Sequence, residues 1–303
     1  MGGMETTSNT VRTGFVAVMG RPNVGKSTLV NALLGQKVAA VSPRAQTTRR
    51  RQLGILTTET AQVIFVDTPG LHNPRHLLGE GMNEEARKAL EHCDLVLFVA
   101  DCSEPVHEED RLLARLVTET AGLDKTLLVL NKVDAVSEAE LDERRHAFEA
   151  LLPGAELHLV SATRGDQRPE LLATIVARLP EGELYYPADQ VTDLFEREIA
   201  ADLIREACLL LLRDEVPHGI AVRMDEFTER GDAGAYIEAV LFVERESHKG
   251  IVIGRGGLML KKIGEAARLE IEAMSGRKVF LRLQVKVRKD WRNDEKVVRG
   301  MFH

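Results

Sequence analysis

The chain has 303 residues, 44% of them hydrophobic and 29% charged, and a formal net charge of −7. This length exceeds that of most single domains, so we expect at least two domains, each with its own core. The apolar runs are too short to cross a bilayer, and the N-terminus lacks the basic start and apolar core of a signal peptide. The three cysteines are widely spaced and suggest neither a disulfide framework nor a metal cage. We therefore expect a cytoplasmic protein.

The negative net charge argues against a nucleic-acid partner, but the charge is unevenly distributed. Residues 249–292 include twelve basic and four acidic residues, a local balance of +8. This segment could attract a polyanion, whereas the alternative is an ordinary solvated surface.

The alternation of short apolar runs with helical patterns divides the chain. From residue 13 to 180 the alternation predicts an α/β domain, with a mostly parallel sheet covered by helices on both faces. Residues 1–12 are interpreted as a flexible tail, and the polar, proline-containing stretch 181–192 as a linker. Residues 193–303 follow the order α-β-β-α-α-β-α, which predicts a separate α+β domain.

The sequence GRPNVGKST (20–28) matches G-x-x-x-x-G-K-[ST] between a predicted strand and a predicted helix. In this motif backbone amides and the helix N-terminus surround phosphate oxygens, the lysine bridges the terminal phosphates and the serine ligates Mg²⁺. The predicted nucleotide contacts are Gly20, Arg21, Pro22, Asn23, Val24, Gly25, Lys26, Ser27 and Thr28.

The sequence VDTPG (66–70) ends the next strongly apolar strand. Asp67 is placed to hold Mg²⁺, and Gly70 to offer its amide to a terminal phosphate. Thr68 and Pro69 belong to the same predicted nucleotide loop.

The sequence NKVD (131–134) follows another apolar strand and predicts the base. A carboxylate at Asp134 can accept two hydrogen bonds from guanine, a pattern that adenine does not offer. Asn131 is expected to brace neighbouring loops and Lys132 to lie over the base. Ser161 and Ala162, in VSA (160–162), are expected to support the same ring, so the bound nucleotide is GTP or GDP.

Between the first two motifs lies a polar, basic stretch, SPRAQTTRRR (42–51). Thr47 or Thr48 could reach Mg²⁺ when the third phosphate is present, which would couple nucleotide state to loop order. We favour Thr48, so the predicted metal ligands are Ser27, Thr48 and Asp67. A threonine-rich surface turn is the alternative.

These motifs, with QTTRR (46–50), the linker YYPADQVTD (185–193) and the glycine-rich VIGRGG (252–257), resemble the Era family of bacterial ribosome-assembly GTPases. The resemblance implies a P-loop GTPase domain followed by a type II KH domain. It further implies a switch in assembly of the 30S ribosomal subunit that binds the 3′ end of 16S rRNA, and loose association with the inner face of the cell membrane. We expect a monomer and no DNA partner.

The loop Gly254, Arg255, Gly256 and Gly257 matches the G-x-x-G pattern of KH domains, which clamp about four single-stranded nucleotides. Lys261 and Lys262 are expected to face phosphate. The predicted apolar groove contains Ile251, Ile253, Leu260 and Ile263. A dinucleotide fingerprint is disfavoured because Met259 stands where a third glycine is needed, which leaves a plain structural turn as the alternative.

The residue directly after DTPG is Leu71, which cannot orient a water molecule by hydrogen bonding. We therefore expect slow intrinsic hydrolysis. The resemblance implies that Asn23 holds a potassium ion in place of an arginine finger, so the predicted catalytic residues are Lys26, Asn23 and Thr48. A tRNA-modification GTPase, the main alternative, shares GRPNVGKS but needs an additional catalytic domain. A translation GTPase needs β domains that the sequence does not show.

Overall fold

The structure is a computed structural model that describes residues 11–41, 48–49, 51–70, 77–229, 234–295 and 297–298. The first domain contains β1 Val11–Met19, α1 Lys26–Leu34, β2 Gln52–Thr57, β3 Ala61–Asp67, α2 Leu77–Glu91, β4 Leu95–Asp101, α3 Glu108–Thr120, β5 Thr126–Asn131, α4 Glu138–Glu149, β6 Glu156–Leu159, α5 Arg168–Arg178 and β7 Glu181–Gly182.

The strands of this domain form one sheet in the order β2-β3-β1-β4-β5-β6, with β7 added beside β1. Five strands are parallel, whereas β2 runs antiparallel to β3 and β7 antiparallel to β1. Every residue of β3, β4 and β5 is buried because α1 and α5 cover one face of the sheet and α2, α3 and α4 the other. The predicted α/β class is confirmed.

Two strands of this sheet differ from the sequence prediction. The strand β1 begins at Val11, inside the stretch 1–12 that was interpreted as a flexible tail, because Arg12 pairs with Ala61 on one side and with Glu181 on the other. Strand β2 was missed altogether. Its run contains Gly54 and is short, and its place is fixed only by antiparallel pairing with β3.

The predicted linker lies along the first domain. The amide of Ile55 in β2 donates to the carbonyl of Val191 at 2.8 Å. The side-chain oxygen of Gln62 accepts from the amides of Tyr185 and Tyr186 at 2.9 and 3.0 Å. The stretch is therefore held against the sheet by backbone hydrogen bonds.

The second domain contains α6 Glu196–Leu211, β8 Ala221–Glu229, β9 Ala235–Val243, α7 Glu246–Ile253, α8 Leu258–Ser275 and β10 Val279–Val287. Its sheet has the order β10-β9-β8, with β9 and β10 parallel and β8 antiparallel to β9. The three helices and the inner face of the sheet share one core. The predicted KH order is confirmed. A short turn, Trp291–Asn293, follows β10, and most of the predicted final helix lies outside the described residues.

The described residues of the two domains are in contact, and two of the contacts fix how the domains pack. The first is an apolar cluster between α2 and the outer face of the KH sheet, which comprises Leu78, Met82, Ala221, Val240, Phe242, Trp291 and Val298. The second is an ionic contact, in which Lys37 binds both Glu206 and Glu270 at 2.8 Å. Among the helices in the described ranges, none is long and apolar enough to cross a membrane.

Candidate functional site

The loop that follows β1 curls around the N-terminus of α1. Gly25 directly precedes the helix with a φ of 99°, and a Cβ at this position would lie 2.3 Å from the side-chain nitrogen of Asn131. Only glycine fits both the backbone angle and the close approach. The amides of the first helical turn, which include Ser27 and the half-buried Thr28, are thereby presented to an anion.

Lys26 lies inside this loop, with 7% of its surface exposed. Its Nζ donates to the carbonyls of Gly20 and Arg21, at 2.8 and 3.1 Å. Burial lowers the pKa of Lys26 to about 8, an effect that Asp67 opposes and Arg21 reinforces. A buried ammonium whose described partners include two carbonyls is suited to receive phosphate oxygens.

Ser27, Thr48 and Asp67 converge beside the lysine. The Ser27 hydroxyl donates to Asp67 Oδ2 at 2.6 Å and lies 2.9 Å from the Thr48 hydroxyl, which itself donates to Asp67 Oδ2 at 3.3 Å. The other oxygen of Asp67 is buried without a hydrogen-bond partner among the described residues. Burial raises the pKa of Asp67, opposed by the Ser27 hydrogen bond and the Lys26 charge. A cluster of hard oxygen donors around one orphaned carboxylate oxygen fits Mg²⁺.

The opposite end of the pocket is built after β5. Asn131 is 2% exposed; its side-chain nitrogen donates to the carbonyl of Val24 at 2.8 Å, and its side-chain oxygen accepts from the amide of Ala162 at 3.0 Å. One side chain thus joins the phosphate loop to the VSA segment. Asp134, in a short turn just beyond, is exposed and free to face a base.

Lys132 has a left-handed backbone with a φ of 67°, and its Nζ donates to the carbonyl of Asn23 at 2.9 Å and binds Asp101. Its stem therefore spans the pocket beside Asp134. On the facing loop the buried Ser161 hydroxyl accepts from the amide of Arg164 at 3.1 Å, so it shapes the loop rather than pointing outward.

Several predicted positions can meet a nucleotide only through backbone atoms. The side chains of Val24 and Thr68 are fully buried, and the Thr68 hydroxyl donates to the carbonyl of Val18 at 2.8 Å. Gly70 packs against Pro22, since a Cβ at Gly70 would lie 2.7 Å from the Pro22 nitrogen. Pro69 lies between these two positions of the second loop. Leu71 and Thr47 lie outside the described residues.

Three acidic residues that support the pocket were missed by sequence reasoning. Arg21 pairs with the fully buried Asp110 of α3 at 3.2 Å and with Glu104, in the loop before α3, at 2.6 Å. Asp101 ends β4 and holds Lys132 in place. An aspartate at the carboxyl end of an apolar strand was a usable signal for Asp101, as it was for Asp67. The contact between Asp110 and Arg21 joins residues 89 positions apart and had no local signal.

The glycine-rich loop of the KH domain joins two helix ends. Gly254 directly follows α7 and Gly257 directly precedes α8, with Arg255 and Gly256 exposed between them. Gly254 has a φ of 70°, and a Cβ there would lie 2.7 Å from the Cβ of Met259, so a side chain is excluded. The loop therefore brings two helix ends together with its exposed backbone outward, as a phosphate clamp requires.

A groove of about 600 Å³ extends from this loop between α8 and the edge strand β10. It is lined by Gly257, Leu260, Lys261, Gly264, Glu265, Arg268, Leu281, Arg282 and Leu283. Of the four predicted apolar residues only Leu260 lines it. Ile263 is fully buried in the core, Ile253 packs against that core and Ile251 is exposed away from the lining. The other wall comes from β10, which only the tertiary fold places there.

The local charge of +8 overstates the cationic surface. Five of the arginines form ion pairs with carboxylates, namely Arg268, Arg277, Arg282, Arg288 and Arg292. Arg255, Lys261 and Lys262 are exposed beside the loop and groove. These three side chains place cationic charge that is available to a polyanion beside the clamp.

Fold and sites together define a P-loop GTPase joined to a KH domain. A family model described as 50S ribosome-binding GTPase matches residues 15–132, and a KH domain model matches residues 215–292. The chain is 44% identical over 290 residues to GTPase Era of Heliobacterium modesticaldum, covering 96% of either chain. It is 45% identical over 297 residues to GTPase Era of Geobacter metallireducens, covering 97% of this chain and 99% of that relative. The chain belongs to the Era family of GTPases.

Two solved structures are similar over nearly the whole chain. One is Era in complex with MgGDPNP and nucleotides 1506–1542 of 16S ribosomal RNA, with a TM-score of 0.89, 40% identity, and coverage of 96% of this chain and 98% of that chain. The other is an Aquifex aeolicus Era variant bound to GDP.AlF4-, with a TM-score of 0.90, 40% identity, and coverage of 96% and 99%. The arrangement of both domains is therefore shared with solved Era structures.

Proposed function

We propose that this GTPase is a switch in assembly of the 30S ribosomal subunit and that its KH domain binds the 3′ end region of 16S rRNA. The observation that carries the proposal is that the described residues of the predicted nucleotide site converge in one domain, and a GxxG groove lies in the other, with contacts between the two domains. The similar Era structure that holds a GTP analogue and 16S rRNA nucleotides supports this reading.

In the proposed reaction water attacks the third phosphate of GTP in line with the leaving diphosphate. Lys26 and the loop amides stabilise the negative charge that develops on the phosphate oxygens. Ser27, Thr48 and Asp67 would hold Mg²⁺, which neutralises phosphate charge when bound. Asp134 selects guanine by accepting two hydrogen bonds, and Asn131 keeps the two ends of the pocket in register.

A tRNA-modification GTPase is not favoured. Such an enzyme needs a further catalytic domain, whereas this chain and its Era relatives match over at least 95% of both lengths. The part of the chain beyond the GTPase domain matches a KH domain instead.

The RNA proposal is tested by the double substitution Arg255→Asp and Gly256→Asp. Two carboxylates in the clamp repel the phosphate backbone, and the φ of 60° at Gly256 is one that aspartate tolerates. We expect the Kd for a 16S rRNA 3′-end oligonucleotide to rise at least tenfold, about 1.4 kcal/mol. Fluorescence anisotropy at fixed salt measures it.

The matched control is Arg145→Asp, which places a carboxylate on the exposed surface of α4. It changes the charge of the GTPase domain without touching the groove, and we expect an unchanged Kd. Thermal unfolding checks that the double variant is folded. Equal RNA affinity of the folded double variant and the parent chain would refute the assigned RNA site.

We also propose that potassium stimulates hydrolysis through Asn23, as the family resemblance implies. Asn23 is exposed and has a left-handed backbone with a φ of 67°. Its carbonyl accepts a hydrogen bond from the side chain of Lys132. A single amide oxygen is an incomplete ion site, so no reaction step is assigned to the ion. We expect faster GTP turnover in KCl than in NaCl, with the difference lost in Asn23→Gly, which removes the oxygen ligand and adopts the left-handed backbone without strain. Identical rates in both salts would refute the proposal.

The expected cellular setting completes the proposal. We propose that the protein acts as a monomer in the cytoplasm, with the 30S subunit as its assembly partner. Peripheral association with the membrane stays a prediction from the family resemblance.

A further inference from the structure

Arg49 is a buried cation of the GTPase domain that enters the KH domain. It is 7% exposed, and its two terminal nitrogens donate to the backbone carbonyls of Ile220 and His218 at 2.8 and 2.9 Å. Its guanidinium carbon lies 5.5 Å from the centre of the Trp291 ring. We call these two carbonyls and this ring the arginine cage.

Burial of the Arg49 charge in the arginine cage is energetically unfavourable. The partners of the guanidinium among the described residues are carbonyls and an aromatic face, and its Nε is buried without a hydrogen-bond partner among them. Burial lowers the pKa of Arg49 well below its ordinary value, with the charges of Arg205 and Arg292 acting in the same direction and Asp202 against them. A buried charge held in this way is easily destabilised when its position shifts.

Arg49 is also the immediate neighbour of Thr48, whose hydroxyl reaches Ser27 and Asp67 at the Mg²⁺ position. Adjacent α-carbons are 3.8 Å apart across a peptide bond, so a displacement of Thr48 displaces Arg49 as well. The nucleotide pocket and the KH domain are thus connected by two consecutive residues.

The cage is in turn tied to the RNA groove. Trp291 lies just after β10, which forms one wall of the groove, and its indole nitrogen donates to the carbonyl of Gly219 at 2.9 Å. The next residue, Arg292, binds both oxygens of Glu244 at 2.9 and 2.6 Å, immediately before α7. That helix ends at the glycine-rich loop, so the cage is connected along the chain to β10, one wall of the groove, and to the loop at the end of the groove.

The helix that follows the VDTPG loop also contacts the KH domain near Trp291. The helix α2, which follows the VDTPG loop in sequence, buries Leu78 and Met82 in the cluster that contains Trp291. The amide of Leu77, its first residue, donates to the side chain of Asn293 at 3.3 Å. In related GTPase switches, the segment around Thr48 and the segment after the VDTPG loop both change with the presence of the third phosphate. Here both segments contact the KH domain around Trp291.

We propose that Arg49 is the positioning residue that couples the two sites. While its guanidinium occupies the arginine cage, Thr48 is held at the Mg²⁺ position. Movement of Thr48 withdraws the guanidinium and loosens the turn that carries Trp291. This proposal rests on the proposed GTP-switched RNA binding, and it makes the coupling reciprocal, because RNA that shifts the cage alters nucleotide affinity by the same factor.

The test compares full-length Arg49→Met and Arg49→Lys with the parent chain. The readout is the ratio of Kd values for the 16S rRNA 3′-end oligonucleotide in the presence of Mg²⁺ with GDP or with a non-hydrolysable GTP analogue. For the parent we expect a ratio that differs from one by roughly five- to 100-fold. In Arg49→Met we expect a ratio within twofold of one, and in Arg49→Lys an intermediate value, because the ammonium still donates to a carbonyl.

The matched control is Lys37→Gln, which removes the ionic contact of Lys37 with Glu206 and Glu270 between the domains but is not adjacent to Thr48 in the chain. It should keep the parental ratio. The reverse experiment measures the affinity for the GTP analogue with and without RNA; the RNA effect should vanish in Arg49→Met and persist in the control. A merely structural role for Arg49 would change both affinities without changing their ratio.

Different results would overturn the proposed function and the proposed role of Arg49. A parent chain that does not bind the oligonucleotide, or binds it equally in both nucleotide states, overturns the proposed function. A parental ratio that persists in folded Arg49→Met and Arg49→Lys overturns the role of Arg49 and leaves the proposed function standing. Thermal unfolding identifies which variants are folded. If Arg49→Met does not fold, Arg49→Lys, which keeps the positive charge, still tests the role of Arg49.

Discussion

Replacing Asp134 by Asn is expected to change the base preference of the pocket from guanine to xanthine. In the proposed site the exposed carboxylate would accept from the ring N–H and the exocyclic amine of guanine, whereas an amide presents one acceptor and one donor. The donor opposes the guanine amine but matches the carbonyl that xanthine carries at the same position. Loss of a charged hydrogen bond and the new donor–donor contact together cost about 3 kcal/mol, or roughly 100-fold in Kd for GTP.

Competition between labelled GTP and xanthosine triphosphate measures this change of preference. The matched control is Asp142→Asn, an exposed carboxylate of α4 in the same domain, for which no change is expected. Retention of full GTP affinity in Asp134→Asn would show that this carboxylate does not contact the base.

Replacing Lys26 by Met is expected to lower kcat/KM for GTP hydrolysis by roughly 10²–10³, because a single preorganised donor to the developing phosphate charge is removed. The same substitution should leave the melting temperature level or higher. The ammonium is buried, with its pKa lowered to about 8, so its charge opposes folding at neutral pH. A loss of activity together with preserved stability separates a phosphate-binding role from a structural one.

The lowered pKa also predicts a pH signature. Above about pH 8 the Lys26 amine of the free protein is increasingly neutral, whereas phosphate favours the charged ammonium. Nucleotide binding should therefore take up a proton, increasingly so as pH rises through 8, and affinity should fall over the same range. Calorimetry in two buffers with different ionisation enthalpies measures the uptake, which Lys26→Met should abolish.

The control for both measurements is Lys88→Met, in which an exposed lysine of α2 is replaced. It should hydrolyse GTP and take up protons as the parent does. Proton uptake that survives in Lys26→Met would assign the titration to another group.

The contents of the nucleotide pocket were largely predictable from local sequence. Lys26, Asp67 and Asp134 each follow an apolar strand, and the carboxyl ends of parallel strands meet at one edge of the sheet. The short run that forms β2 carried too weak a signal, because its position depends on antiparallel pairing with β3. Arg21 was expected at the nucleotide, yet its side chain is held by Asp110 on a distant helix.

The KH domain shows the same division. The order of its elements and the position of its G-x-x-G loop followed from the sequence, because helical and strand periodicities are local properties. The groove did not. A helix has several apolar positions, and only the packing of α8 on the sheet decides that Ile263 enters the core while Leu260 faces the groove.

The sequence by itself predicted two ligand sites, one from the GTPase motifs and one from the KH loop. Each motif is a short segment, and its local backbone and residue types are set by neighbouring positions in the chain. Only the tertiary structure decided how the sites are joined. The contact of Arg49 with the carbonyls of His218 and Ile220 links residues about 170 positions apart, and such a contact has no local pattern. Burial of that guanidinium against Trp291 depends on the packing of two domains, which no single segment encodes.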